Sequence, residues 1–536
     1  MQMAEPRDQV LRGSSPALNL GAWAVGAALV LLVATRIVML FDGRDFVLDE
    51  WMLLLAIQAE AHIGPSTALG LFEQTAPYGV ATLFKGLIGA FGLHPAPLRT
   101  LVFAVDLAGL FLVWRTARGY LGAVGIVAAL LIAGLTTDAI QYALGAKQYA
   151  FEFAAAAAIL WAACRMTAEA LSTRSLLVFG IISLASLPFA NTAPFATAAC
   201  AVGAAAEVLA RGARPWRGLV IALGFGILYL AAAVAWYLLA LKPATAFQFA
   251  GYANIYSDGY LALSGHGVAK FFKTFELLLG FPLSRLRSLA VIGLIAVGIS
   301  GLALAIVARR PGAVLAAVAA GVLMVAIGGL SAAHILPVVY SRHFIFALPL
   351  FGLSLGLGID TWGVWLGERM ARASGLVRTA PACGLALAAV VVGGFSLRDA
   401  AHQKLEETTP VLAKGLRACP VVLAYYGALP AATAYRQSHP DLRLIGAVPY
   451  ATSAHGWLWQ VRDDYDAYVR GALRAAGPYP TLCLLSAHGR GDEPARLLAA
   501  LGRTRTCHVV AQAIGAELNL CQTRGPSPDA EPPHAG

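Results

Sequence analysis

Apolar runs long enough to cross a bilayer recur along most of the chain, and short polar turns separate them. A spanning helix needs about 20 mostly apolar residues. Residues 18–40, 98–114, 121–137, 149–164, 176–190 and 193–210 meet or approach that length, and 219–241, 289–308, 313–330, 343–359 and 381–395 follow. The segment 49–92 is also apolar, but Glu60, Gly64, Pro65, Glu73, Pro77 and Lys85 interrupt it. It predicts two helices lying along the membrane interface rather than a span. The runs give about eleven spans.

Charge orients them. Arg7 and Arg12 precede the first run, and arginines cluster in the turns after 114, 164, 210, 308 and 359. Positive charge near span ends marks the cytoplasmic side. Counted from a cytoplasmic N-terminus, every one of these turns falls there. Asp49, Asp138, Asn191, the loop after Leu241 and Tyr340-Ser341-Arg342 then fall outside. The first run is too long for a signal-peptide core and is expected to stay as an anchor.

From Arg398 the pattern changes. Residues 421–425, 442–445, 481–485 and 507–510 read as short strands, with helices at 431–438 and 494–501 between them. A small extracytoplasmic α/β domain is predicted over 398–523, after a membrane domain over 1–397. It holds Cys419, Cys483, Cys507 and Cys521, which in an oxidising compartment allow two disulfides in three connectivities. The Pro-rich end, 524–536, reads as disordered.

Composition agrees. Of the 536 residues, 59% are hydrophobic and 13% charged, and mean hydropathy is +0.70. Soluble domains carry roughly 25% charged residues, so this is an integral membrane protein. The net charge of +10 is spread through inter-span turns rather than gathered in a patch, which argues against a nucleic-acid partner.

Four polar stretches could carry chemistry. Asp49 and Glu50 open an apolar segment directly after the first run, where carboxylates suit a helix start and can also meet a lipid-borne reactant. Residues 137–152 join two spans yet hold Asp138, Gln141, Tyr142, Lys147, Tyr149 and Glu152; on one continuous helix most of these would share a face. Arg342, followed by His343, sits at the outer start of a span against the charge rule, and its fork of donors suits a phosphate. Lys85 and Lys147 are further outer cations. The loop 242–287 interleaves Tyr252, Tyr256 and Tyr260 with polar residues, which fits stacking on a sugar as well as interfacial anchoring.

Together with Phe72-Glu73-Gln74-Thr75-Ala76-Pro77-Tyr78-Gly79, these motifs follow one another in an order that resembles the bacterial branch of the GT-C glycosyltransferases. These are relatives of protein O-mannosyltransferases and of the lipid A aminoarabinose and galacturonic acid transferases. Val421 to Ala428 with Pro430, and Leu484-Leu485-Ser486-Ala487-His488, resemble the small periplasmic domain some members carry. The resemblance implies a multi-pass protein of the bacterial inner membrane that takes sugar from a polyprenyl-phosphate donor. It implies Asp49 as catalytic base, with Glu50 and Asp138 beside it. Arg342, Lys85, Lys147 and His343 would hold the donor phosphate, and Glu73, Gln74, Gln141, Tyr142, Tyr149 and Tyr256 would line the substrate. The aminoarabinose transferases have a basic residue where this chain has Gln74, so the donor sugar is left open.

The residues support the same chemistry without the family. A lipid-phosphate sugar brings its own leaving group, so no nucleotide-binding loop is needed. Transfer to a hydroxyl acceptor on a lipid, glycan or protein needs a base within about 3 Å and cations for the departing phosphate. A single displacement inverts the anomeric centre. The acidic cluster leaves a place for a divalent metal ion, although no His/Cys spacing marks a dedicated site. The competing classes are a secondary transporter, which would want ionisable groups in mid-span such as Asp106, and a flippase or ligase for lipid-linked glycans.

Overall fold

Each apolar run from 18–40 to 343–359 is helical in the computed structural model, which describes residues 16–212, 216–245, 259–262, 264–280, 287–338, 340–369, 407–419, 421–446 and 464–524, with isolated helical positions between 384 and 398. The expected run 381–395 lies largely outside the described residues, and Tyr252, Tyr256 and the end of the tail lie wholly outside them. Among the described residues eight helices are long and apolar enough to cross a membrane, and three shorter apolar ones accompany them. The protein is therefore a polytopic α-helical membrane protein with a small C-terminal sheet.

The order begins α1 (Pro16–Phe41), α2 (Leu48–Ala59), α3 (Tyr78–Phe91), α4 (Pro95–Tyr120), α5 (Ala123–Gly134), α6 (Thr137–Tyr142) and α7 (Tyr149–Ala168). It continues α8 (Thr173–Ser186), α9 (Ala193–Ala210), α10 (Trp216–Trp236), α11 (Gly265–Leu278), α12 (Arg287–Val307), α13 (Ala313–Ala332) and α14 (Leu348–Arg369). The two helices expected in 49–92 are α2 and α3. The loop expected over 242–287 contains amphipathic α11, whose Phe275 packs on Phe344 with ring centroids 5.3 Å apart.

Helix α5 shows why some runs are shorter than a span. Its 12 residues rise about 18 Å, less than the roughly 30 Å hydrocarbon core. It is apolar all round and buried from Gly125 to Gly134, as such a helix must be. Against α14 the backbones nearly touch: a Cβ at Gly352 would lie 2.8 Å from the Ala129 carbonyl oxygen. Small residues permit that approach in a membrane, where close packing replaces the hydrophobic effect between helices.

Carboxylates tie the remaining ends. Asp360 accepts from the N–H groups of Gly122 and Gly125, both at 3.2 Å, and pairs with Arg310 at 2.6 Å. Glu207 accepts from Gly312, Val314 and Leu315 at the start of α13. Each places negative charge at the positive end of a helix dipole. Asp106, the mid-span acid, is paired with Arg36 at 3.0 Å, and Arg36 also donates to the Gly134 carbonyl at 2.7 Å. One buried pair thus joins α1, α4 and α5.

The C-terminal sheet comprises β1 (Val421–Ala424), β2 (Arg443–Ile445), β3 (Thr481–Ala487), β4 (Arg505–Ala513) and β5 (Ala516–Thr523), in the order β2-β1-β3-β5-β4. The first three are parallel, and β5 runs antiparallel to both β3 and β4. Around it lie α15 (Thr408–Gly415), α16 (Leu429–Ser438), α17 (Tyr465–Ala476) and α18 (Glu493–Gly502). The four expected strands and both expected helices are present. Strand β5 was not expected: its Glu517 and Asn519 are poor strand formers, and its register comes from a two-residue hairpin closed by Gly515 at φ +70°.

The cysteines pair as Cys419–Cys483 and Cys507–Cys521. The second pair bridges directly opposed positions of β4 and β5. Peptide mapping of unreduced protein should recover both linked peptides. Four free thiols in protein prepared without reductant would contradict this pairing.

Candidate active site

Helix α2 opens with its two acids in different circumstances. Glu50 is buried, and its carboxylate is occupied by the chain around it. It reaches back to accept from the Val47 N–H at 2.9 Å, accepts from the Ala146 N–H at 2.6 Å, and meets Arg99 at 3.4 Å. Three elements therefore meet on this one side chain: the α2 start, the turn between α6 and α7, and α4.

Asp49, one residue earlier, points elsewhere, since neighbours on a helix diverge by about 100°. Its side chain is 42% exposed, and its Oδ2 lies 3.2 Å from the Arg342 guanidinium. That arginine, in the turn Ser341–Ala347 before α14, donates to the Tyr142 hydroxyl at 3.3 Å. Its guanidinium also lies over the rings of Tyr340 and Tyr142 at 4.7 and 5.9 Å. Tyr142 packs edge-on against Tyr149, which stacks in turn on His343. Arg342 is thus held by aromatic faces while one side of its fork meets the acid.

Asp49, Tyr142 and Tyr149 of this group border a cleft. Asp49, Gln141, Tyr142, Lys147 and Tyr149 line it, all of them singled out from sequence. Gln74 reaches it indirectly: its Oε1 accepts from the Lys147 ammonium at 2.8 Å, aiming that cation. The segment carrying Gln74 is strained. Phe72 and Glu73 adopt φ of 59° and 54°, a left-handed conformation that costs non-glycine residues roughly 1–3 kcal/mol each.

Other expected residues sit differently. Lys85 donates to the carbonyls of Gln58 and Glu60 at 3.0 and 2.6 Å, closing the C-terminal end of α2. Asp138 lies in the first turn of α6, whose cap is the Thr136 hydroxyl. Residues 137–152 are not one helix. The chain breaks between Tyr142 and Tyr149, where the Ala146 N–H turns to Glu50 instead of continuing a helical ladder. Glu152 is buried on α7, and His343 stacks on Tyr149 of the same helix. Among the described residues, no group of three or more His, Cys, Asp or Glu side chains converges in a way that could hold a metal ion.

Three charged lining residues, Arg44, Asp45 and Arg99, were given no role of their own from the sequence. Arg99 carried a signal, because it lies at the same end of its span as Arg342 and breaks the charge rule in the same way. Its guanidinium donates to the Asp45 carbonyl at 2.8 Å as well as meeting Glu50. Burial pushes the Asp45 carboxyl up to about 6, against the opposing pull of hydrogen bonds from Thr409 and Phe46 and the charge of Arg99.

Burial also pushes Glu73 up to about 7. Folded Glu73 holds its proton more firmly than the unfolded chain does. Its stabilising contribution is therefore full below 4.5 and is lost as pH rises through about 7. Glu73→Gln, which stays neutral, should raise the thermal midpoint at about pH 8 and change it little below the unfolded value. Equal shifts at both pH values in a thermal unfolding series would contradict that assignment.

No family model matches the chain, and no curated protein matches it. Solved structures that do include ArnT from Cupriavidus metallidurans in the apo state, and the same protein bound to undecaprenyl phosphate. The first has a TM-score of 0.53 at 14% identity, covering 94% of this chain and 98% of that one. The second has the same score and identity, covering 93% and 97%. The likeness covers nearly the whole of both chains, membrane helices and C-terminal sheet together, so the chain has the fold of these structures.

Proposed function

We propose that the protein transfers a sugar from a polyprenyl-phosphate donor to a hydroxyl acceptor at the extracytoplasmic face of the bacterial inner membrane, inverting the anomeric centre. The observation that carries this reading is the ion pair of Asp49, which lines the cleft, with Arg342, beside the contact between the membrane domain and the C-terminal domain. A carboxylate that can take a proton and a guanidinium that can take a phosphate stand side by side. Their setting is the fold of a protein solved with undecaprenyl phosphate bound. The Arg-rich turns at the opposite ends of the spans support the sidedness, and two disulfides support an oxidising compartment for the sheet.

The proposed steps are these. The donor phosphate enters beside Arg342, with the Lys147 ammonium as a second cation. It draws the guanidinium toward itself and loosens its hold on Asp49. Asp49 takes the acceptor hydroxyl proton, and the acceptor oxygen forms its bond to the anomeric carbon. The bond from that carbon to the phosphate oxygen breaks, its electron pair leaving with polyprenyl phosphate, whose charge the cations offset. Glu50, with both oxygens engaged, positions the loop rather than reacting.

Purified protein, given undecaprenyl-phosphate-linked sugars and an envelope fraction as acceptor, should release undecaprenyl phosphate, detected by mass spectrometry. Release must depend on both the protein and the acceptor. No release from any donor of a panel of neutral, amino and acidic sugars would overturn the reading.

A further inference from the structure

The C-terminal domain touches the membrane domain at both ends of α2. At its start, the Asp45 carboxylate accepts from the Thr409 N–H of α15 at 2.8 Å, while its other oxygen accepts from its neighbour Phe46 at 2.9 Å. At its finish, Gln58 of α2 and Gln437 of α16 exchange amide hydrogen bonds at 3.0 and 2.9 Å. Between these points the buried face of α2, including Trp51 and Leu55, lies in one continuous apolar cluster with Leu423, Tyr425, Ala431 and Leu484 of the C-terminal domain. On the membrane side Arg99 holds the Asp45 carbonyl and Lys85 holds the last carbonyls of α2. This helix of 12 residues is thus gripped from both sides and at both ends.

We propose that the C-terminal domain is a positioning element for the acid on α2: it fixes the register of that helix, and with it the place of the Asp49 carboxylate opposite Arg342. The proposal rests on the reading of Asp49 as base. Asp49 itself is half exposed and forms an ion pair with Arg342 on another element, so the helix beneath must set where its carboxylate stands. A misplacement of about 1 Å can cost roughly 100-fold in rate. Asp45 and Gln437 act through α2 and are positioning residues.

The test uses the full chain in lipid nanodiscs, with amide hydrogen exchange over 48–56 as one readout. The other is steady-state transfer with the undecaprenyl-phosphate-linked sugar that wild type turns over. Asp45→Ala should speed exchange in that peptide and lower kcat by about 10-fold, with donor KM within about twofold. Asp45→Asn keeps an acceptor oxygen for the Thr409 N–H and should recover most of both. Gln437→Ala, on an exposed face, should move both readouts in the same direction by less, which covers the case in which Asp45→Ala fails to fold. Exchange unchanged in Asp45→Ala and Gln437→Ala overturns the proposal, and so does faster exchange with kcat at the wild-type value. If wild type transfers no sugar, the functional reading fails instead, and exchange alone decides whether the domain holds α2.

Discussion

Asp49→Asn lowers the rate of sugar transfer by roughly 10²–10⁴-fold, the usual range for loss of a general base. The amide keeps the shape of the side chain and can still accept from Arg342, so folding and donor binding should stay close to wild type. Steady-state rates with wild type and variant, alongside the affinity of each for undecaprenyl phosphate, check both halves. The neighbouring acid supplies a contrast. Glu50 holds the Val47 and Ala146 N–H groups, so Glu50→Gln should show its damage as lowered thermal stability and disordered 145–147. A Glu50 variant that is stable but inactive, beside an active Asp49→Asn, would move the base by one residue.

Arg342→Ala has a different signature. The donor phosphate is charged before as well as during the reaction, so losing its partner weakens binding and not only turnover. A hydrogen bond to a charged group is worth roughly 1.5–3 kcal/mol, which is about 10- to 100-fold in donor affinity. Arg342→Lys should fall between, because an ammonium keeps the charge but loses the planar fork and its contact with the Tyr340 and Tyr142 rings. Undecaprenyl phosphate titrations of the three proteins would show this order. An Arg342→Ala protein with full affinity would remove the phosphate role from that residue.

The membrane architecture was legible because a bilayer demands it. Spans must be apolar for about 20 residues, and arginines must gather on one side, so the pattern is written in composition alone. Asp49, Tyr142, Lys147, Tyr149 and Arg342 stood out for a related reason, as polar residues at span ends where a membrane protein has little cause to keep them. What stayed hidden works through the backbone. Glu50 looked like a second catalytic acid, and only the folded chain shows it spent on the Ala146 N–H, 96 positions away. For Lys85, the hydrogen bonds to two carbonyls that close α2 could not be read from the sequence either. Asp45 stood in the acidic stretch after the first run, but its partner, the main chain of Thr409, could not be read there. The disulfide pairing was hidden likewise, since it depends on the β4–β5 register that an unremarked hairpin sets.

The central claim is that Asp49 and Arg342 face a polyprenyl phosphate. An electron cryomicroscopy structure of the full chain in nanodiscs with undecaprenyl phosphate tests it most directly. The account predicts the phosphate in the cleft lined by Asp49 and Tyr142, within about 3 Å of the Arg342 guanidinium. A lipid phosphate held by other residues outside this cleft would contradict it.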